Sequence, residues 1–228
     1  MSEPRSARVA IVDFGMGNLF SVQRACEAVG LRARVTSRPT ELLESDAVIL
    51  PGVGAFGDAM SSLVHLGLAD ALREVAASGK PLFGICLGLQ LLMTESHEFG
   101  RHRGLGILEG DVVRFEPPRE GERLLKVPQV GWNRISRNPG GSWEGSWLED
   151  LADGASMYFV HSFYVRPADP AVVLSVSRYG GIAFCSSLRA GNIFACQFHP
   201  ERSGPHGLRI YQRFAACLQR VPTEVQHD

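Results

Sequence analysis

Apolar and polar positions alternate in two textures along the chain. From Arg8 to Met93, short β-branched runs exchange with stretches of helical spacing. Arg8-Val9-Ala10-Ile11-Val12 predicts a strand that ends in the turn cluster Asp13-Phe14-Gly15-Met16-Gly17-Asn18. Leu19 to Val29 has helical spacing, with Gly30 as the stop. Strands are expected over Ala33–Thr36 and Asp46–Leu50, the latter closed by Pro51-Gly52. Leu63–Ala77 reads as one helix, Pro81–Ile85 as an apolar strand with Cys86 just beyond it, and Leu87–Met93 as the next helix. Such alternation implies a parallel sheet covered on both faces. After about Gly104 the pattern turns to short strands: Val112–Phe115, Met157–Val160, Val172–Val176, Ala183–Leu188 and Ile193–Gln197. Arg189-Ala190-Gly191-Asn192 reads as a hairpin turn, Arg137–Ser146 as a long surface loop, and Leu208–Leu218 as a closing helix. The expected fold is a single-domain α/β one, a mixed, mostly parallel sheet flanked by helices on both faces. An extension over 1–7 precedes the domain at 8–220, and a polar tail over 221–228 follows it.

Composition narrows the function classes. Of 228 residues 45% are hydrophobic and 21% charged, and the net charge is -1, which disfavours a nucleic-acid surface or a polybasic membrane surface. No run reaches the roughly 18 apolar residues of a membrane helix. The opening MSEPRSARVA has no apolar core of a secretory signal. Five cysteines, an odd number in a chain of this length, read as reduced thiols, so a cytoplasmic protein is expected.

The strongest local chemistry is Gly84-Ile85-Cys86-Leu87-Gly88, at the junction of an apolar strand and a helix. A nucleophile on such a turn is pushed clear of the sheet, and a helix N-terminus favours the thiolate. A buried, inert strand cysteine fits the same five residues. Three further features favour the chemical reading. Gln197-Phe198-His199-Pro200-Glu201 sets a carboxylate two positions from a histidine, where it can orient the imidazole. Pro51-Gly52-Val53-Gly54 closes an earlier strand and can turn the Val53 N–H toward developing oxyanion charge, with the Leu87 N–H as second donor. Both elements fall at the carboxyl ends of strands, where open α/β sheets place their sites.

GICLGLQLL, PGVGAFGDAM and QFHPERSG together resemble the triad, class-I glutamine amidotransferases, in which Cys, His and Glu hydrolyse glutamine and release ammonia. DFGMGNL, VPQVGWN and YFVHSFYV narrow the resemblance to the glutaminase subunits of imidazole glycerol phosphate synthase, over nearly the whole chain. The resemblance implies Cys86 as nucleophile, His199 as acid and base, Glu201 as orienting carboxylate, and the amides of Val53 and Leu87 as oxyanion donors. It implies that Gly52, Gln90, Glu98, Ser162 and Phe163 hold glutamine. Asn18, Trp132, Tyr158 and Arg202 would face a cyclase partner, a (β/α)₈ barrel, in a heterodimer. The family usually has Lys at Arg202, and the two cations are not interchangeable. No cofactor, metal, nucleic acid or membrane is implied. His161 lies in a family motif with only a structural role expected.

Other signals lead elsewhere and fail. Gly15-Met16-Gly17-Asn18-Leu19-Phe20 opens like a dinucleotide fingerprint, but Phe20 takes the third glycine's place. His97-Glu98 with His102 has the wrong spacing for a zinc helix. Cys26, Cys185, Cys196 and Cys217 read as core thiols. Two rival functions remain. One is the glutaminase of another synthase, such as that for pyridoxal phosphate. The other is a scaffold that kept the fold without the chemistry. The intact Cys86, His199 and Glu201 set disfavours the second.

Overall fold

The computed structural model describes residues 7–219. The expected tail, and the expected extension apart from Ala7, lie outside them. The first half builds β1 (Arg8–Val12), α1 (Leu19–Ala28), β2 (Arg32–Thr36), α2 (Pro39–Glu44), β3 (Ala47–Gly52), α3 (Phe56–His65), α4 (Leu68–Ala77), β4 (Leu82–Cys86) and α5 (Leu87–Leu91). Short strands β5 (Glu95–Ser96) and β6 (His102–Arg103) lead to β7 (Gly110–Arg114) and to the small ribbon of β8 (Arg119–Glu120) and β9 (Arg123–Leu124). The second half adds β10 (Gln129–Arg137), β11 (Ala155–His161), β12 (Phe163–Pro167), β13 (Val173–Tyr179), β14 (Ile182–Ala190), β15 (Ile193–Cys196) and α6 (Gly204–Gln219).

Nine strands form one mixed sheet in the order β11-β10-β13-β14-β15-β4-β3-β1-β2. From β2 to β15 the pairing is parallel, and β14 and β10 run against the other strands. Side chains of the central strands alternate between two cores, as the period-two geometry of a strand requires. Ala10, Val12, Val48 and Leu50 join α2, α3, α4 and α5 on one face. Val9, Ile11, Ile49 and Phe83 join α1 and α6 on the other. The fold is therefore the expected single-domain α/β layer structure.

Differences from expectation have local causes. The expected helix over 63–77 is two, broken where Gly67 takes a left-handed φ of 68°. The first of these starts early, at Phe56, because the Glu98 carboxylate, distant in sequence, accepts its N–H at 2.6 Å. β10 was not expected: apart from the buried Gln129 and Ile135 its positions are exposed or half-buried, and Gly131 with a φ of 129° interrupts the apolar pattern. β12 pairs with β7 in a second, four-stranded sheet that packs beside α5. The Arg137–Ser146 loop is exposed at its tip, but Trp143 leaves it for the core, where its indole N–H donates to the Leu174 carbonyl at 2.8 Å. Trp147 follows it inward against Phe83, Phe194 and Phe214.

Candidate active site

β4 ends in Cys86, whose φ of 55° and ψ of −107° turn the chain sharply into α5. A positive φ at a non-glycine residue is strained, and such strain collects at functional sites. The turn closes only because the next position but one has no side chain. A Cβ on Gly88 would lie 1.7 Å from the Leu50 carbonyl oxygen. Register brings the glycine turn alongside, since Gly52 on β3 pairs with Cys86 on β4. Val53 follows on the exposed rim, between Gly52 and the positive-φ Gly54.

β15 is the parallel neighbour of β4, with Cys196 opposite Ile85. Continuing past it, the chain places His199 beside Cys86. The His199 Nδ1 lies 2.7 Å from Glu201 Oε1, and the two side chains are 5% and 1% exposed. Burial opposes charge on the imidazole. The adjoining Cys86 and the hydrogen-bonded Glu201 outweigh it, and the His199 pKa is pushed up to about 10. An imidazolium held beside a thiolate is the arrangement that activates a cysteine. Tyr158 on β11 braces this turn: its carbonyl accepts the His199 N–H at 2.9 Å, and its own N–H donates to Ser203 Oγ at 3.0 Å.

The other expected substrate residues are held by bonds of their own, and Gln90 reaches Cys86 through Gln197. Gln90 is buried on α5, and its amide donates to the Phe163 carbonyl at 2.9 Å and to Gln197 Oε1 at 3.1 Å. The Phe163 carbonyl also lies 2.9 Å from His161 Nδ1, while the Ser162 carbonyl accepts from the Phe115 N–H. Glu98 caps α3, close to the glycine turn, and stays half-buried. His97, rejected as a zinc ligand, instead lies 3.5 Å from both Glu95 and Asp111.

The class-I glutamine amidotransferase family model matches residues 10–217. The chain belongs to that family. Within it, the imidazole glycerol phosphate synthase subunit HisH of Rhodopirellula baltica is 48% identical over 217 residues, covering 95% of this chain and 99% of that protein. The HisH subunit of Geobacter metallireducens is 48% identical over 212 residues, covering 92% and 98%. Among solved structures, a glutamine amidotransferase aligns with a TM-score of 0.69 at 23% identity, covering 93% of this chain and 99% of that one. PurLQS from Thermotoga maritima aligns with the same TM-score at 17% identity and the same coverage. These two likenesses speak to the fold alone.

The amidotransferase keeps an aromatic cluster at the edge of its sheet. Trp132 on β10 is 61% exposed and meets Tyr158 edge-on, with ring centroids 6.1 Å apart. The Arg202 guanidinium lies 4.4 Å over the Tyr158 ring. Asn18, at the start of α1, is exposed and makes no side-chain cap. One site neighbour escaped sequence reasoning. Gln197 Nε2 lies 3.6 Å from Cys86 Sγ, linking Gln90 to that thiol. Its place next to the His199 motif was visible, but nothing in the spacing gave it a task.

Proposed function

We propose that this amidotransferase is the ammonia-supplying subunit of an imidazole glycerol phosphate synthase in histidine biosynthesis. The observation that carries the reading is the buried set of Cys86, His199 and Glu201 beside the Gly52-Val53-Gly54 turn. The Cys86 thiolate attacks the glutamine γ-carboxamide carbon. The N–H groups of Val53 and Leu87 receive the oxyanion, and Gln90, Glu98, Gly52 and the Ser162-Phe163 backbone hold the amino-acid end. The His199 imidazolium gives its proton to the leaving nitrogen, so ammonia departs and a glutamyl thioester remains on Cys86. Water, deprotonated by His199, hydrolyses the thioester to glutamate and restores the thiolate. Ammonia then passes to a (β/α)₈-barrel cyclase bound as a heterodimer across Asn18, Trp132, Tyr158 and Arg202. The same reading places the reaction in the cytoplasm, where unpaired thiols stay reduced. No helix among the described residues is long and apolar enough to cross a membrane.

Replacing Cys86 with Ala tests the site. Glutamine-dependent synthesis by the complex is expected to vanish, while synthesis from added ammonium salts continues. Retained glutamine hydrolysis in Cys86→Ala overturns the assignment.

A further inference from the structure

Gln197 lies just past β15, fully buried, and both ends of its side-chain amide are engaged. Which end faces which neighbour follows from the one group in the row that cannot donate. The Phe163 carbonyl only accepts, so the Gln90 atom 2.9 Å from it is the amide nitrogen. That nitrogen also lies 3.1 Å from Gln197, so the Gln197 atom facing it is Oε1. Gln197 Nε2 is thereby turned to Cys86 Sγ, at 3.6 Å. The other polar atom bonded to this sulfur, the Val160 carbonyl at 3.9 Å, is an acceptor and suits the neutral thiol. Gln197 is the opposite case, because an N–H binds an ionised acceptor more strongly than a neutral one.

The titratable groups around Cys86 are His199, with Glu201 behind it, and Cys196, whose thiol burial holds well above its ordinary pKa and so keeps neutral. We propose that Gln197 is a further catalytic residue of this site, its Nε2 donating to the Cys86 thiolate before attack and again when the thioester breaks. In that second step the C–S bond cleaves, its electron pair returns to sulfur, and the proton taken from water stays on His199. An amide does not titrate, so this donor persists while the His199 proton is away on the leaving nitrogen. The row also ties the donor to Gln90, and through it to the Phe163 carbonyl. The inference rests on Cys86, His199 and Glu201 being the triad, and it gives the sulfur an uncharged donor beside the imidazole.

Gln197→Met removes the donor at similar length and adds no charge. Iodoacetamide alkylation of the complex with the cyclase subunit, read by mass spectrometry on the Cys86 peptide between about pH 5 and pH 10, follows the thiolate itself. The acidic limb of the rate profile should move about one pH unit toward alkali, so that the rate on that limb falls about 10-fold. In the same complex kcat for glutamine hydrolysis should fall about 10- to 100-fold. Gln197→Glu keeps an oxygen for the Gln90 amide but sets a second one against the sulfur, and its limb should move further. If Gln197→Met does not fold, Gln197→Glu decides alone. An acidic limb left in place overturns the proposal, whatever kcat does. A residue that only packs, or only holds Gln90, would lower the thermal midpoint or raise KM and leave the limb unmoved. Cys86→Ala is assayed in parallel. If it loses glutaminase activity while the limb stays in place, only the role of Gln197 falls. If it retains activity, the triad reading falls as well.

Discussion

His161 and His199 share one buried region and are driven in opposite directions. Burial pulls the His161 pKa down to about 4, against the hydrogen bond to the Phe163 carbonyl and with some repulsion from His199. The unfolded chain binds a proton on this residue below about pH 6.5, and the folded chain refuses it until about pH 4. Its contribution is therefore complete above pH 6.5 and is lost as the pH falls toward 4, at roughly 1.4 kcal/mol per pH unit. His161→Asn keeps a donor for the Phe163 carbonyl and removes the titration. Urea unfolding at pH 8 and pH 5 should show the parent losing about 2 kcal/mol more than the variant over that interval. Equal losses would show that His161 is not a source of acid sensitivity. At this scale the cluster of Cys86, His199 and Glu201, the proposed triad, was legible because each member carries a sequence-local sign: a glycine-flanked elbow, or a histidine two residues from a carboxylate. Gln197 carries none. Its hydrogen bonds reach partners more than a hundred residues away, which no local spacing encodes.

The aromatic edge and the turn carrying His199 form one mechanical unit. β11 supplies the Tyr158 ring to the Trp132–Tyr158–Arg202 cluster, and the same residue's backbone holds His199 and Ser203. A partner seated on these rings would press on the strand that holds His199, the proposed catalytic base. Trp132 is the better probe, since its exposure separates binding from stability. Trp132→Ala should weaken cyclase affinity by about 2 kcal/mol or more, roughly 30-fold in Kd, and leave the thermal midpoint of the isolated chain almost unmoved. Titration calorimetry and a melting curve decide it; a large fall in the midpoint with unchanged affinity would make Trp132 a core residue. Elements were legible where apolar periodicity is clean, as in β1, β3, β4 and α6. They were not legible where distant contacts decide the boundary. The start of α3 depends on Glu98, and the break before α4 depends on one left-handed glycine. β10 and β12 owe their existence to strand partners rather than to their own pattern.

For the whole molecule, the proposed oxyanion role of Val53 would make the Gly52-Val53-Gly54 turn a gate on activity. Two glycines leave the intervening peptide free to rotate at small steric cost, so partner binding can favour the orientation that presents the Val53 N–H. Without that donor, acyl transfer slows by roughly 100- to 1000-fold. Glutamine hydrolysis by the isolated chain should therefore rise by about that factor, mainly in kcat, when cyclase and its nucleotide substrate are added together. A steady-state assay with and without them is the check, and full activity from the chain alone would refute the gate. The layer architecture itself was legible from the alternation of strand and helix, whereas the antiparallel half emerged only in outline. The position of β15 has one more consequence, which concerns how the protein is made. This strand lies between β4 and β14 at the centre of the sheet, yet is the last to leave the ribosome. Until it inserts, the nascent chain carries Cys86 without His199 or Glu201, and so lacks the proposed triad. A chain truncated before Ile193 instead leaves the wholly buried β4 as a bare apolar edge, open to aggregation and to clearance. Incomplete synthesis thus yields a sticky chain rather than an enzyme that wastes glutamine.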